Sequence, residues 1–194
     1  MSKQFWNETL SWATASGTAV ANTTTETILF PNVTIPANYM QDGRCLRLVA
    51  WGGHGTQNSA TQNITFSIRW GGVAGTVLSK TATVTATQNV GGGASMTAVW
   101  SIEAYIQVRA NGSSGTAMSN GNVCLHTSTA AVAGTVTNYG MFFPLASGST
   151  GGTTPVAVTA DFTADTALAL TVTWATANAA NSIQGLNYTI EAMN

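Results

Sequence analysis

Trp100-Ser101-Ile102-Glu103-Ala104-Tyr105-Ile106-Gln107-Val108-Arg109 alternates without a break. Trp100, Ile102, Ala104, Ile106 and Val108 fall on one face; Ser101, Glu103, Tyr105, Gln107 and Arg109 fall on the other. A period of two with one apolar face is the pattern of a strand in a sheet buried on one side. The same alternation runs through Ile64–Trp70, Leu168–Trp174 and Leu186–Ala192. No stretch sustains apolar residues at the helical spacing i, i+3, i+4, i+7.

Around this segment, strands are predicted near 18–21, 26–35, 44–52, 62–70, 75–86, 97–109, 115–126, 138–143, 155–162, 167–175 and 183–192. Turn residues separate them, as in Gln41-Asp42-Gly43, Gly91-Gly92-Gly93, Asn111–Gly115 and Gly148–Thr154. Two phrases echo each other: Arg47 through Trp51-Gly52-Gly53, and Ser67 through Trp70-Gly71-Gly72, each read as a strand ending in Trp-Gly-Gly. Many short strands with Gly- and Asn-rich turns predict an all-β fold, a two-sheet antiparallel β-sandwich of the jelly-roll type. Tryptophan side chains suit the ~10 Å space between two packed sheets.

Only 7% of the 194 residues are charged, against roughly 25% in an ordinary soluble domain. The net charge of −1 offers no clustered basic face for nucleic acid. No run approaches the ~18 apolar residues of a membrane span, so no membrane partner is expected. The surface must consist largely of Thr, Ser, Asn, Gln, Gly and Ala. It lacks the charge repulsion that keeps solitary domains apart. With so few Lys and Pro, edge strands look poorly guarded. Such a surface fits a protein that shares it with neighbours.

Residues 1–17 are read as an N-terminal arm or flap, ahead of a single β-sandwich domain over 18–194. Phe5, Trp6, Leu10 and Trp12 are large apolar groups with no clear period. They form the candidate interface, covering the open end of the sandwich or docking on a neighbouring subunit. The N-terminus lacks the apolar core and cleavage pattern of a signal peptide, so synthesis in the cytoplasm is expected. Cys45 and Cys124 lie in apolar strand-like stretches with no CxxC pair, and two buried free thiols are favoured over a disulfide.

Chemical motifs are sparse. His54 lies in a Gly-rich turn and His126 at a strand end, without the third ligand or spacing of a metal site. Asp161 and Asp165 are the one carboxylate pair a hydrolase could use, and turn or cap roles suit them better. No nucleophile elbow, P-loop or dinucleotide fingerprint is present. The expectation is a non-enzyme with no cofactor and no metal. Asn-x-Ser/Thr triplets, beginning for example at Asn7 and Asn187, follow from an Asn- and Thr-rich composition. Thr81, Thr83, Thr85 and Thr87 read as the solvent face of one strand. Exposed Trp or Tyr rings would give a sugar-stacking site.

Several phrases carry a resemblance. They are Phe5-Trp6-Asn7, Ile35–Gly52 (IPANYMQDGRCLRLVAWG), Phe66–Leu78 (FSIRWGGVAGTVL), Ile106–Thr116 (IQVRANGSSGT) and Phe162–Leu170. In these the chain resembles virion structural proteins of tailed bacteriophages. The resemblance implies a β-sandwich or jelly-roll subunit of head decoration, fibre or tail, and brings no functional residues with it. The expectation is a capsid decoration (cement) protein, a homotrimer bound to other virion proteins such as the major capsid protein. The alternative is a tail-fibre or receptor-binding module that recognises host surface polysaccharide.

Overall fold

In the computed structural model of the protein, residues 7–56, 62–86, 96, 98–130, 136–151 and 154–193 are described. They form strands and turns, with no helix among them. In chain order the strands are β1 (Asn7–Trp12), β2 (Val20–Ala21), β3 (Thr27–Ile28), β4 (Val33–Ile35), β5 (Cys45–Gly55), β6 (Gln62–Trp70) and β7 (Thr76–Thr81). There follow β8 (Val84–Ala86), β9 (Ala98–Ala110), β10 (Gly115–Ala130), β11 (Val136–Ser147), β12 (Val158–Ala160), β13 (Thr166–Trp174) and β14 (Ser182–Met193).

The all-β, antiparallel reading holds. Where two sheets were expected, hydrogen bonding follows one path, β1-β14-β5-β9-β10-β11-β7-β6-β13-β3. The shorter strands attach at its sides: β12 on β10, β2 on β14, β4 on β13 and β8 on β6. The link between the halves is β11. Most of it pairs with β10, while its last residues, Leu145 to Ser147, pair with β7. The path bends back on itself, because Phe66 of β6 and Trp100 of β9 touch with ring centroids 5.6 Å apart. These strands are not neighbours in the sheet, so their side chains meet across the core.

Alternation sets which face is buried. In β9, Trp100, Ile102, Ala104, Ile106 and Val108 are buried, and every intervening residue is partly or fully exposed. Three tryptophans, Trp70, Trp100 and Trp174, fill the core. A buried indole N–H needs an acceptor. Trp70 donates to the Asp161 carbonyl at 2.7 Å, Trp100 to that of Gln184 at 3.1 Å, and Trp174 to that of Val20 at 3.4 Å.

Three predicted strand features are corrected. The stretch 26–35 is two strands, because Leu29 and Phe30 are both buried, which strict alternation forbids, and Pro31 follows. The stretch 75–86 also breaks. The Phe66 N–H bonds the Thr81 side-chain oxygen at 3.1 Å, and the chain leaves β6 there before β8 begins. Thr81 is buried while Thr83 and Thr85 are exposed, so these do not form one solvent row; Thr87 lies outside the described residues. The two Trp-Gly-Gly phrases also differ. Gly71 and Gly72 make a turn with φ of 106° and 72°, but Gly52 and Gly53 lie inside β5, which runs on to Gly55.

The β13 margin is better guarded than the residue counts suggested. Pro31 separates β3 from β4, and Pro36 directly follows β4, on the margin where β13 takes only these short strands. Pro144 sits on β11 just before its pairing with β7 begins. A residue without an N–H is tolerated at such places and discourages further pairing.

Candidate functional site

Most charged groups among the described residues are spent on structure. Arg47, on β5, reaches Glu103 of β9 at 2.9 Å and Glu191 of β14 at 3.2 Å, lacing three strands together on the outer face. The Tyr105 hydroxyl donates to the same Glu103 at 2.7 Å. These bonds from Tyr105 and Arg47 hold the Glu103 carboxyl below its usual range. Arg69 grips Glu26, Nε to Oε1 at 2.6 Å, and Thr171 donates to that oxygen as well. Burial alone would raise Glu26; the bonds from Arg69 and Thr171 outweigh it and lower the carboxyl. Tyr39 donates to Glu8 at 2.6 Å, and the Arg44 guanidinium lies 4.4 Å over the Tyr39 ring. Burial, reinforced by Glu8, pushes the Tyr39 phenol up to about 12.

Asp161 and Asp165 serve turns. Asp161 accepts from the Thr163 N–H at 2.8 Å and its hydroxyl at 2.6 Å; Asp165 accepts from the Ala37 N–H at 2.8 Å. The histidines, far apart in sequence, meet. His54 is buried, and its Nε2 lies 3.0 Å from the His126 carbonyl oxygen. Burial lowers the His54 pKa to about 4, so it is neutral at ordinary pH. Its Nδ1 has no hydrogen-bond partner among the described residues. Cys124 lies 3.6 Å from His126 Nε2, but burial raises its thiol pKa and works against a reactive thiolate. Both cysteines are free, Cys124 buried and Cys45 only half-buried.

The candidate interface of residues 1–17 divides. Phe5 and Trp6 lie outside the described residues. Residues 7–12 form edge strand β1 on β14, with a register shift between Thr9 and Ser11 that sets Leu10 apart. Leu10 packs on the core, whereas Trp12 is 60% exposed. Only Trp12 of this pair is presented outward.

Two features of the outer face went unnoticed in the sequence. The first is a row. Trp51 pairs with Ser101, Ser101 with Cys124, and Cys124 with Phe142. Two exposed rings thus flank two small residues across three strand spacings, about 14 Å. Phe142 is 73% exposed, the most exposed of the large apolar side chains among the described residues. Beyond the Leu125–Trp100 pair, β10 has no β9 partner, and the distal parts of β10 and β11 pair only with each other among the described residues. The signal was available: no Asp, Glu, Lys or Arg lies between Arg109 and Asp161.

The second is a groove of about 540 Å³ at the other end of the same face. Tyr105, Gln107 and Arg109 line it from β9, Met118 and Asn120 from β10, and Pro155 from the segment before β12. Arg109 makes no ion pair or hydrogen bond among the described residues. No protein family's sequence profile, no curated protein and no solved structure matches the chain.

Proposed function

We propose that the chain is a non-enzymatic structural subunit of a bacteriophage virion, a capsid decoration protein that stabilises the head. In this reading it is made in the host cytoplasm and docks as a homotrimer on virion proteins such as the major capsid protein. The two halves of the bent sheet act as the layers of a jelly-roll sandwich, and the N-terminal segment adds a contact toward a neighbour through exposed Trp12 on β1. One observation carries the reading: the β10–β11 ribbon is uncharged, its distal part lacks other strand partners among the described residues, and Phe142 stands exposed on it. Burying one such ring on a neighbour is worth about 1.5–3 kcal/mol. The resemblance of the sequence phrases to phage virion proteins supports the same conclusion.

Docking through apolar area and strand pairing is nearly independent of salt, whereas docking through ion pairs is screened. Retention on purified particles, measured from low to high salt, should change little. A steep loss as salt rises contradicts the proposal. Trp12→Ala tests the outward contact of this segment, because Trp12 is exposed and its loss should leave the fold intact: the variant should join the particle less well, and normal incorporation rules the contact out.

A second reading, a fibre module that grips host polysaccharide, is favoured by the Tyr105-lined groove. Polar side chains beside an aromatic ring suit a hydroxyl-rich ligand.

A further inference from the structure

We infer that the groove between β9, β10 and Pro155 is a binding site for an acidic saccharide, a sugar chain bearing carboxylates such as a uronic acid oligomer. This site deepens the second reading and is independent of the first. Tyr105, Gln107 and Arg109, at every second position of β9, all line this groove, Arg109 at the bulge where the register with β10 shifts. Two residues of strand advance about 6.6–6.8 Å, so the three side chains line about 13 Å of groove, enough for more than one sugar ring.

Each group has a distinct task. Tyr105 offers a ring whose hydroxyl is tied to Glu103, itself tied to Arg47. The ring is therefore held in place before a ligand arrives, which lowers the ordering cost of binding. Asn120 is the cross-strand partner of Tyr105, and Gln107 lies two residues along β9. Their amides supply both donors and acceptors for sugar hydroxyls. Met118, the partner of Gln107, and Pro155 give apolar surface for the C–H face of a ring. Arg109 makes the choice of an acidic ligand. Of the arginines, Arg47 and Arg69 hold carboxylates within the chain, and Arg44 stacks on Tyr39 and donates to its carbonyl. Arg109 stands at the groove with no such partner among the described residues. A guanidinium matches the geometry of a carboxylate with two parallel hydrogen bonds.

The test is titration of the full chain with a galacturonic acid trisaccharide and with its neutral galactose counterpart, by calorimetry and by protein NMR. The acidic trisaccharide should bind at least roughly tenfold more tightly than the neutral one. Arg109→Gln should remove that preference, and Tyr105→Ala should weaken both sugars, with the melting temperature of Arg109→Gln unchanged. Perturbed NMR signals should map to residues 105–109 and 118–120. Equal binding of the two sugars, or acidic binding unaffected by Arg109→Gln, overturns the acidic site while leaving polysaccharide recognition standing. Absence of binding by either trisaccharide at millimolar concentration overturns the site altogether.

Discussion

The Trp100 indole N–H donates to the Gln184 carbonyl across Gly52, a residue whose missing side chain is what lets the two approach. A Cβ on Gly52 would lie 1.9 Å from the Gln184 oxygen and 2.8 Å from the indole nitrogen. The nearer obstacle is backbone and cannot swing aside. Gly52→Ala should therefore force β14 off β5 or break the bond, at a cost of about 2 kcal/mol or more. Chemical denaturation checks this; unchanged stability would mean that the strands separate freely.

His54 makes stability depend on pH. Its folded-state pKa, about 4, is below the ordinary 6.5 because burial disfavours the charged ring. As pH falls, the unfolded chain takes up this proton first. The contribution is thus fully present above about pH 6.5 and is lost as pH drops toward 4, by up to about 3 kcal/mol. His54→Gln keeps a donor for the His126 carbonyl and removes the titration. Denaturation midpoints between neutral pH and pH 4 should fall less steeply in the variant.

Glu26 acts in a lower window. Its carboxyl is below the usual value despite burial, owing to Arg69 and Thr171. Its contribution is present above the ordinary carboxylate range and disappears as pH falls through the lowered value. Glu26→Gln should leave Arg69 without its counter-charge, reduce stability near neutral pH, and flatten the acid limb of the stability curve. Thermal melts across the acid range check the slope.

Phe142 separates folding from docking. At 73% exposure it contributes little to the core. Phe142→Asp should leave the stability of the isolated chain within about 0.5 kcal/mol, yet weaken particle binding by placing a charge on an otherwise uncharged ribbon. Equal incorporation of the variant and the parent chain would remove Phe142 from the docking surface.

Strand identity was legible wherever one face is buried, as in β9 and β14, because alternation reports burial directly. It failed where a local bond or a kink overrides the period. Thr81 competes for the Phe66 N–H, and adjacent Leu29 and Phe30 both turn inward. Residues 7–12 alternate poorly because β1 is an edge strand with a register shift, so they read as an arm. The outer-face features depend on register between distant strands. Nothing local in the sequence sets Trp51, Ser101, Cys124 and Phe142 in one row, or Asn120 opposite Tyr105. The meeting of His54 and His126 depends on the same long-range pairing, through β5, β9 and β10.

The central proposal is that this nearly uncharged chain is a virion subunit. Copy number and position of the chain in purified particles, by quantitative mass spectrometry and image reconstruction, test it most directly. The account predicts hundreds of copies at regular positions on the head, with the β10–β11 ribbon against a neighbouring protein. Absence of the chain from purified particles would contradict it.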